Sequence, residues 1–263
     1  MIIVKIGGGA TINLKGIVAD LSEIEASFII IHGANAVRDN LAEKLGVPKK
    51  VITSISGYSS VFSDATAIDL LMMAYSGLRN KRIVELCHQF GINAVGLAGL
   101  DGKVIQGRRN KGIKIKEGEK KKIIRDFSGK PKSINKQLLE LLLTNHYIPV
   151  LCVPIIDENN FAINSENDDI VNVVQSEFKA EKIIQLIESP GFLEDKEDAS
   201  SLIRQLSVEE LKLWEERAEG RIKRKLFALR KLFENGATTV IISDGRTEHP
   251  IKDALNGKGT IIR

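Results

Sequence analysis

Short runs of β-branched residues alternate with helical segments along almost the whole chain. These runs are apolar on both faces, which is the pattern of strands buried in a parallel sheet. The sequence therefore predicts an α/β fold with an open, mostly parallel central sheet and helices on both faces. The predicted strands are 2–6, 28–32, 92–98, 147–153, 182–187, 238–242 and 260–262. The predicted helices are 13–25, 34–45, 64–90, 132–145, 168–178, 207–219, 220–235 and 250–255, and 103–127 is predicted to form hairpins.

The first strand ends in one lysine, Lys5, and runs into three glycines, Gly7 to Gly9. A lone ammonium group is costly inside a core, so Lys5 is expected either to point at an anion beyond the strand end or to be a surface residue before an ordinary turn. Glycines let backbone N–H groups approach such an anion closely. The run is not a dinucleotide fingerprint, since position 12 is Ile12, and no P-loop spacing occurs in the chain.

Composition narrows the class of protein further. A hydrophobic fraction of 43% in 263 residues supports a sizeable core, and no apolar run reaches the roughly 18 residues of a membrane helix. The chain enters a strand at once, so no signal peptide is expected. Cys87 and Cys152 stand alone in apolar contexts, which indicates buried thiols in a reducing cytoplasm. The four histidines have no metal-ligand spacing, so no protein metal site is expected.

One segment carries most of the positive charge. Residues 108–132, called the basic flap below, contain eleven Lys or Arg and three acidic residues, which gives the flap +8 and leaves −4 for the rest of the chain. A nucleic-acid binder is expected to be basic more evenly, so nucleic acid is not expected as a partner. The flap indicates a local acidic partner, or else a solvated hairpin without one.

The clusters that follow the predicted strands resemble those of the amino acid kinase superfamily, in which ligands bind beyond the carboxyl ends of parallel strands. The ordered motifs are Val4-Lys5-Ile6-Gly7-Gly8, Ile31-His32-Gly33, Asn164-x-x-x-Asp168 and Lys225 on a late helix. Within the superfamily the chain looks most like N-acetylglutamate kinase and the related kinase that acts on aminoadipate or glutamate held on an amino-group carrier protein. Segments similar to the carrier-protein branch are Asn80 to Val84, Asn93 to Gly102, Gly107 to Arg109, Gly220 to Lys225 and Gly259 to Arg263.

The resemblance implies an amino acid kinase fold of two lobes, with the acyl-substrate and phosphoryl site in 1–176 and the nucleotide in 177–263. It implies phosphoryl transfer from ATP to the side-chain carboxylate of carrier-bound aminoadipate or glutamate, which gives an acyl phosphate for lysine or arginine biosynthesis. Mg²⁺ would be held by ATP oxygens and water. The partners implied are a small acidic carrier protein and a second copy of the chain in a cytoplasmic homodimer. The alternatives are N-acetylglutamate kinase acting on the free molecule, and a catalytically weak ATP-binding regulatory protein.

The resemblance also implies roles for individual residues. The implied catalytic residues are two cations that neutralise the transferring phosphoryl group and an aspartate that holds both in place, namely Lys5, Lys225 and Asp168. Arg224 or Lys223 is an alternative second cation, and Asp168 is alternatively only a helix cap. The implied substrate-binding residues are Gly33, Ala34, Asn35, Phe62 and Asn164. The implied phosphate- or nucleotide-binding residues are Gly7, Gly8, Glu188 and Gly191, the two glycines through their backbone N–H groups.

The chain departs from the family near Val61, where an arginine typically holds the α-carboxylate of the substrate. Neither Ser60 nor Val61 can replace a bidentate arginine contact. Either a cation from the basic flap therefore supplies this contact, or the substrate differs. The flap is also interpreted as the docking surface for the carrier protein, through long-range attraction. The expected docking residues are Arg108, Arg109, Lys120, Lys121 and Lys122.

Overall fold

The structure is a computed structural model that describes residues 1–55, 59–117, 120–195, 197–218 and 220–263. Glu119 of the basic flap and Glu219, the last residue of a predicted helix, lie outside the described residues. The strands are β1 (Ile2–Ile6), β2 (Phe28–His32), β3 (Val51–Thr53), β4 (Ser59–Val61), β5 (Ala94–Ala98), β6 (Ile105–Arg109), β7 (Ile113–Glu117), β8 (Lys120–Ile124), β9 (Gly129–Ile134), β10 (Ile148–Cys152), β11 (Ile155–Ile156), β12 (Ala162–Ile163), β13 (Lys182–Ile187), β14 (Gln205–Leu206), β15 (Thr239–Asp244) and β16 (Thr260–Ile262). The α-helices are α1 (Leu14–Ser22), α2 (Asn35–Lys44), α3 (Ala65–Leu71), α4 (Asn80–Gln89), α5 (Lys136–Thr144), α6 (Asn167–Phe178), α7 (Val208–Arg217), α8 (Gly220–Glu234) and α9 (Pro250–Leu255).

The central sheet has eight strands in the order β14-β16-β15-β13-β1-β2-β10-β5. Its pairings are parallel except that of β15 with β16. Alternate residues of β1 enter two different cores, since Ile3 packs on one face of the sheet and Val4 and Ile6 on the other. Burial on both faces explains why these strands are continuous apolar runs. The predicted fold class is confirmed.

A second, four-stranded sheet in the order β12-β11-β6-β9 corrects one predicted helix boundary. The helix predicted over 132–145 begins only at Lys136, because 129–134 forms β9 and pairs antiparallel with β6. Asn135 follows the strand and caps the helix, and its side chain accepts a hydrogen bond from the Leu138 N–H at 3.1 Å. The hairpin β7–β8, which lies between β6 and β9 in the chain, forms the central part of the basic flap.

The long helix predicted over 64–90 runs from α3 to α4 without a break. Asp64 caps it, accepting from the Ala67 N–H at 3.0 Å. Its middle, Met72–Arg79, is π-helical, which the hydrophobic pattern does not predict. Wide π-helical turns are uncommon and occur frequently near functional sites.

The boundary predicted between two lobes, after residue 176, falls in the last turns of α6. Strands from both sides of that boundary join one sheet, since β1 pairs with β13 over five residue pairs. The assignment of separate tasks to the two parts remains a prediction. Among the described residues, no helix has the length and apolar character needed to cross a bilayer.

Candidate active site

A cavity of about 500 Å³ opens at the carboxyl edge of the central sheet, between β1, β13 and helices α7 and α8. Lys5, Asp168 and Lys225 all line it. Lys5 Nζ lies 2.7 Å from Asp168 Oδ1, and the two side chains are only 13% and 24% exposed. The fold thus brings two lysines that are far apart in sequence to the cavity that Asp168 also lines.

Local structure explains why Asp168 is available to these lysines. It lies in the first turn of α6, where the helix dipole favours a negative charge. The N-cap is Glu166, so Asp168 is not the cap residue of this helix. Burial raises the pKa of Asp168, but the Lys5 ammonium group, together with the charges of Lys225 and Arg224, outweighs burial and holds that pKa below its ordinary value. The carboxylate is therefore ionised at neutral pH.

The structure distinguishes between the candidates for the second cation. Arg224 is 45% exposed, and its Nη1 lies 3.4 Å from Glu166 Oε1. Lys223 is not among the described residues that line the cavity, whereas Lys225 is. Of the three candidates, Lys225 is therefore the one that lines this cavity, where Arg217 also lies.

The glycine turn after β1 packs directly on the backbone that follows β2. A Cβ atom on Gly8 would lie 2.1 Å from Asn35 Oδ1 and 2.7 Å from the Ala34 nitrogen, so no larger residue fits. The Gly7 N–H donates to the Leu186 carbonyl at 2.8 Å, and the Gly33 N–H donates to the Ile6 carbonyl at 2.9 Å. These N–H groups extend the sheet. The donation to phosphate expected from the Gly7 N–H is therefore corrected, and the N–H group of the expected substrate-binding residue Gly33 is likewise already donated. Within the described residues, the N–H groups of Gly8 and Gly9 have no hydrogen-bond partner.

Glu188, which was expected at the nucleotide, supports this turn. Its Oε1 accepts hydrogen bonds from the Thr11 N–H at 2.7 Å and the Thr11 hydroxyl at 2.6 Å. These two hydrogen bonds lower the pKa of Glu188 below its ordinary value. Its carboxylate also lies so close to Gly9 that a Cβ there would be 2.0 Å from it. Gly191, in contrast, does line the large cavity.

The far wall of the large cavity is apolar and was not predicted from the sequence. Phe192 and Trp214 meet edge to face there, with ring centroids 5.3 Å apart. Ile222 and Leu229 continue this wall. Flat apolar walls beside cations suit a ligand with an aromatic base and a charged tail. The sequence feature that could have indicated this wall is Trp214, because it is the one tryptophan in the sequence and lies on an amphipathic helix.

The residues expected to bind the acyl substrate are divided between two places. Phe62 lines a second cavity of about 250 Å³ between α2 and α3. Asn164 donates from Nδ2 to the Ser63 hydroxyl at 3.1 Å, which connects β12 to the segment before α3. Ala34 is the N-cap of α2 and Asn35 its first residue, so both lie beside the Gly8 turn.

The docking residues expected in the basic flap differ in their surroundings. Arg108, Lys120 and Lys121 are exposed on β6 and β8, as is Lys122. Arg109 is different: its Nε lies 2.9 Å from Oδ2 of the fully buried Asp157. Its guanidinium also covers the ring of Phe127 at 4.4 Å. An ion pair to a buried carboxylate therefore holds this side chain against the fold, and the docking role of Arg109 stays a prediction.

This fold and this paired-lysine cavity define a phosphotransferase of the amino acid kinase class. The chain belongs to the amino acid kinase family, whose model matches residues 1–244. It is 37% identical to the [LysW]-aminoadipate kinase of Thermus thermophilus over all of both chains. It is 27% identical to the acetylglutamate kinase of Methanopyrus kandleri, again over all of both chains. A carbamate kinase structure from Giardia lamblia, 14% identical, shares the fold with a TM-score of 0.69 over 99% of this chain and 97% of that one.

Proposed function

We propose that this chain transfers the γ-phosphoryl group of ATP to the side-chain carboxylate of aminoadipate or glutamate held by its amino group on a small acidic carrier protein. The observation that carries the proposal is the cavity that Lys5, Asp168 and Lys225 share. The full-length similarity to relatives named [LysW]-aminoadipate kinase and [LysW]-aminoadipate/[LysW]-glutamate kinase supports the choice of acceptor.

The chemistry follows from charge. A carboxylate oxygen of the substrate attacks the γ-phosphorus, the bond to the bridging oxygen breaks, and ADP leaves with the electron pair. Both reactants are anions, so the site must neutralise charge on the transferring group. Lys5 and Lys225 supply that charge, and Asp168 fixes the ammonium group of Lys5. The N–H groups of Gly8 and Gly9 add hydrogen-bond donors at the turn.

The large cavity has the chemistry of a nucleotide site. The adenine base would lie against the apolar wall that contains Phe192 and Trp214, and the phosphates would extend toward Lys225 and Lys5. Among the described residues, no group of three His, Cys, Asp or Glu side chains could hold a metal ion. Mg²⁺ would be bound mainly by ATP oxygens and water, since this ion gives up its water ligands reluctantly.

The basic flap would dock the carrier protein, with Arg108, Lys120, Lys121 and Lys122 as its exposed cations. An acidic carrier would be attracted over a distance of about 10 Å at moderate salt. The long helix would join two copies of the chain, since Met73 and Leu78 on it are 45% and 49% exposed. ATP-dependent biosynthesis and two buried free cysteines fit the cytoplasm.

The test is ADP release with three acceptors: carrier-bound aminoadipate, carrier-bound glutamate and free N-acetylglutamate. Hydroxylamine added to the reaction should trap the acyl phosphate as a hydroxamate. The proposal predicts turnover with a carrier-bound acceptor and little with the free one. Equal or faster turnover with N-acetylglutamate would favour an acetylglutamate kinase instead. ATP binding without transfer to any of these acceptors would favour a regulatory protein.

A further inference from the structure

The smaller cavity contains a cation in the region where the sequence lacks the expected arginine. This cavity of about 250 Å³ lies between α2, the loop 46–50 and the start of α3. Both Val61, at the end of β4, and Arg38, on α2, line it. A side chain from α2 therefore reaches the same space that a longer side chain at position 61 would enter.

Arg38 is held in place and still has capacity for a ligand. Its side chain is 16% exposed. Nε and Nη2 donate to the same oxygen, Asp39 Oδ1, at 2.8 and 2.6 Å. Within the described part of the chain, Nη1 has no hydrogen-bond partner. A guanidinium carries five N–H donors in a rigid plane, so the edge away from Asp39 remains able to receive a carboxylate.

The backbone connects Arg38 to the proposed phosphoryl site. The Arg38 N–H donates to the Ala34 carbonyl at 2.9 Å, so Arg38 lies one helical turn from the residue that packs on Gly8. The buried phenol of Tyr75 lies in the same region. Burial raises its pKa, while the nearby Arg38 cation and the Ala34 backbone oppose that increase. Arg38 and the Gly8 turn are thus joined through the first turn of α2.

The charges around the cavity leave one cation in excess. Arg38 and Lys49 share the carboxylate of Asp39, since Lys49 Nζ lies 2.8 Å from Oδ2. Lys50 pairs with Asp64 at 2.7 Å. Three cations therefore face two carboxylates, with Val61 and Phe62 as apolar wall. One further carboxylate would balance this set.

We propose that Arg38 binds the α-carboxylate of the acyl substrate, the carboxylate that is not phosphorylated, with the smaller cavity as its subsite. The proposal rests on the proposed function. It assigns the missing contact to α2 and not to the basic flap, and it makes Arg38 a specificity residue for substrates with two carboxylates.

The experiment compares two carrier-bound substrates, aminoadipate and 5-aminopentanoate, which lacks the α-carboxylate. In the unmodified enzyme, removal of that carboxylate should raise KM roughly 10- to 100-fold, as expected for a charge-assisted hydrogen bond. Arg38→Met should raise KM for aminoadipate by a similar factor and show no further increase with 5-aminopentanoate. Lys44→Met, an exposed cation on the same helix, is the matched control and should leave KM unchanged. Trp214 fluorescence during ATP titration checks that the variants remain folded and bind nucleotide.

A second variant tests the shared space directly. Val61→Arg in the Arg38→Met background should recover most of the lost affinity for aminoadipate, and no recovery would contradict the assignment of this cavity. A different outcome is that removal of the α-carboxylate raises KM by the same factor in Arg38→Met as in the unmodified enzyme. In that case Arg38 does not bind that group, and the proposed function still stands. If the unmodified enzyme acts on neither carrier-bound substrate, the proposed function fails, and the assignment of Arg38 fails with it.

Discussion

At the scale of single residues, the ion pair of Lys5 and Asp168 decides how the site is organised. Lys5 lies at the end of a central strand, where its ammonium group is mostly removed from water and needs a fixed anion. Asp168 supplies that anion from the first turn of α6, and the positive charge of Lys225 also lowers the pKa of Asp168. We interpret Asp168 as a positioning residue, since it carries the same sign of charge as the reactants.

Asp168→Asn should therefore lower kcat on the order of 10²-fold, because the Lys5 ammonium group loses its fixed position. KM for ATP should change much less. Asp169→Asn, in the same helical turn, is the matched control and should retain normal kcat. Steady-state kinetics with saturating ATP measures both variants. A kcat for Asp168→Asn within a few-fold of the unmodified value would show that Lys5 is held by other contacts.

His32 gives the fold a specific sensitivity to acid. It is fully buried, its Nε2 faces the Asn80 amide nitrogen at 3.2 Å, and its Nδ1 lies 3.3 Å from the Gly33 carbonyl. These partners fit a neutral ring that accepts at Nε2 and donates at Nδ1. Burial, aided by the Arg79 and Lys81 cations, lowers the pKa of His32 to about 3. The unfolded chain takes up this proton near pH 6.5, so acid favours unfolding.

Between about pH 6 and pH 4, His32 should thus lower the free energy of unfolding by up to about 1.4 kcal/mol for each pH unit. Urea denaturation across this range should show a shallower pH dependence for His32→Asn than for the unmodified protein. His88→Asn, at an exposed position on α4, should follow the unmodified curve. Parallel curves for His32→Asn and the unmodified protein would mean that the buried ring is protonated in the folded state.

At the scale of elements, strand β6 carries two neighbouring arginines, one that stabilises the fold and one that is exposed. Arg109 pairs with the fully buried Asp157 and covers Phe127, whereas its neighbour Arg108 points to solvent. Arg109→Ala should lower the free energy of unfolding by roughly 3 kcal/mol, because it leaves a buried carboxylate without its cation. Arg108→Ala should change stability by less than about 0.5 kcal/mol. Thermal and urea unfolding measure the stability of both variants. Equal stability of the two variants would contradict the structural role of Arg109.

The docking hypothesis assigns the hairpin β7–β8 to the surface that binds the carrier protein. Lys120→Glu with Lys121→Glu should raise KM for the carrier-bound substrate about 10-fold at low salt, and less at high salt, since exposed charges act mainly through screened long-range attraction. KM for ATP should be unchanged. The control is the same double reversal at Lys15 and Lys182, which are exposed outside the flap. Equal increases in KM for ATP and for the carrier, or equal effects of the two double variants, would exclude the flap as a specific dock.

At the scale of the whole molecule, the central sheet was predictable because its strands are buried on both faces and read as apolar runs. The resemblance to the family motifs predicted that Lys5, Asp168 and Lys225 would share one site; the three residues line one cavity, and their catalytic roles stay a prediction. In contrast, β9 was missed because charged residues and Pro131 interrupt its pattern. Its partner β6 also lies some twenty residues earlier in the chain.

Other features of the site depend on contacts that no local pattern encodes. The use of the Gly7 and Gly33 N–H groups within the sheet, the support of the turn by Glu188, and the approach of Arg38 to Val61 all arise from tertiary packing. The wall formed by Phe192 and Trp214 likewise joins a loop and a helix. Sequence reasoning therefore named the charged groups that line the large cavity and missed most of what shapes the space between them.

The central claim is that Lys5 and Lys225 act together on the transferred phosphoryl group. The most direct measurement is the single-turnover rate of acyl phosphate formation in Lys5→Met and Lys225→Met, with Trp214 fluorescence used to confirm that ATP is bound. The account predicts a rate loss on the order of 10²- to 10³-fold in each variant at saturating ATP, as for other removed donors that stabilise transition-state charge. A rate within about threefold of the unmodified enzyme in either variant would contradict it.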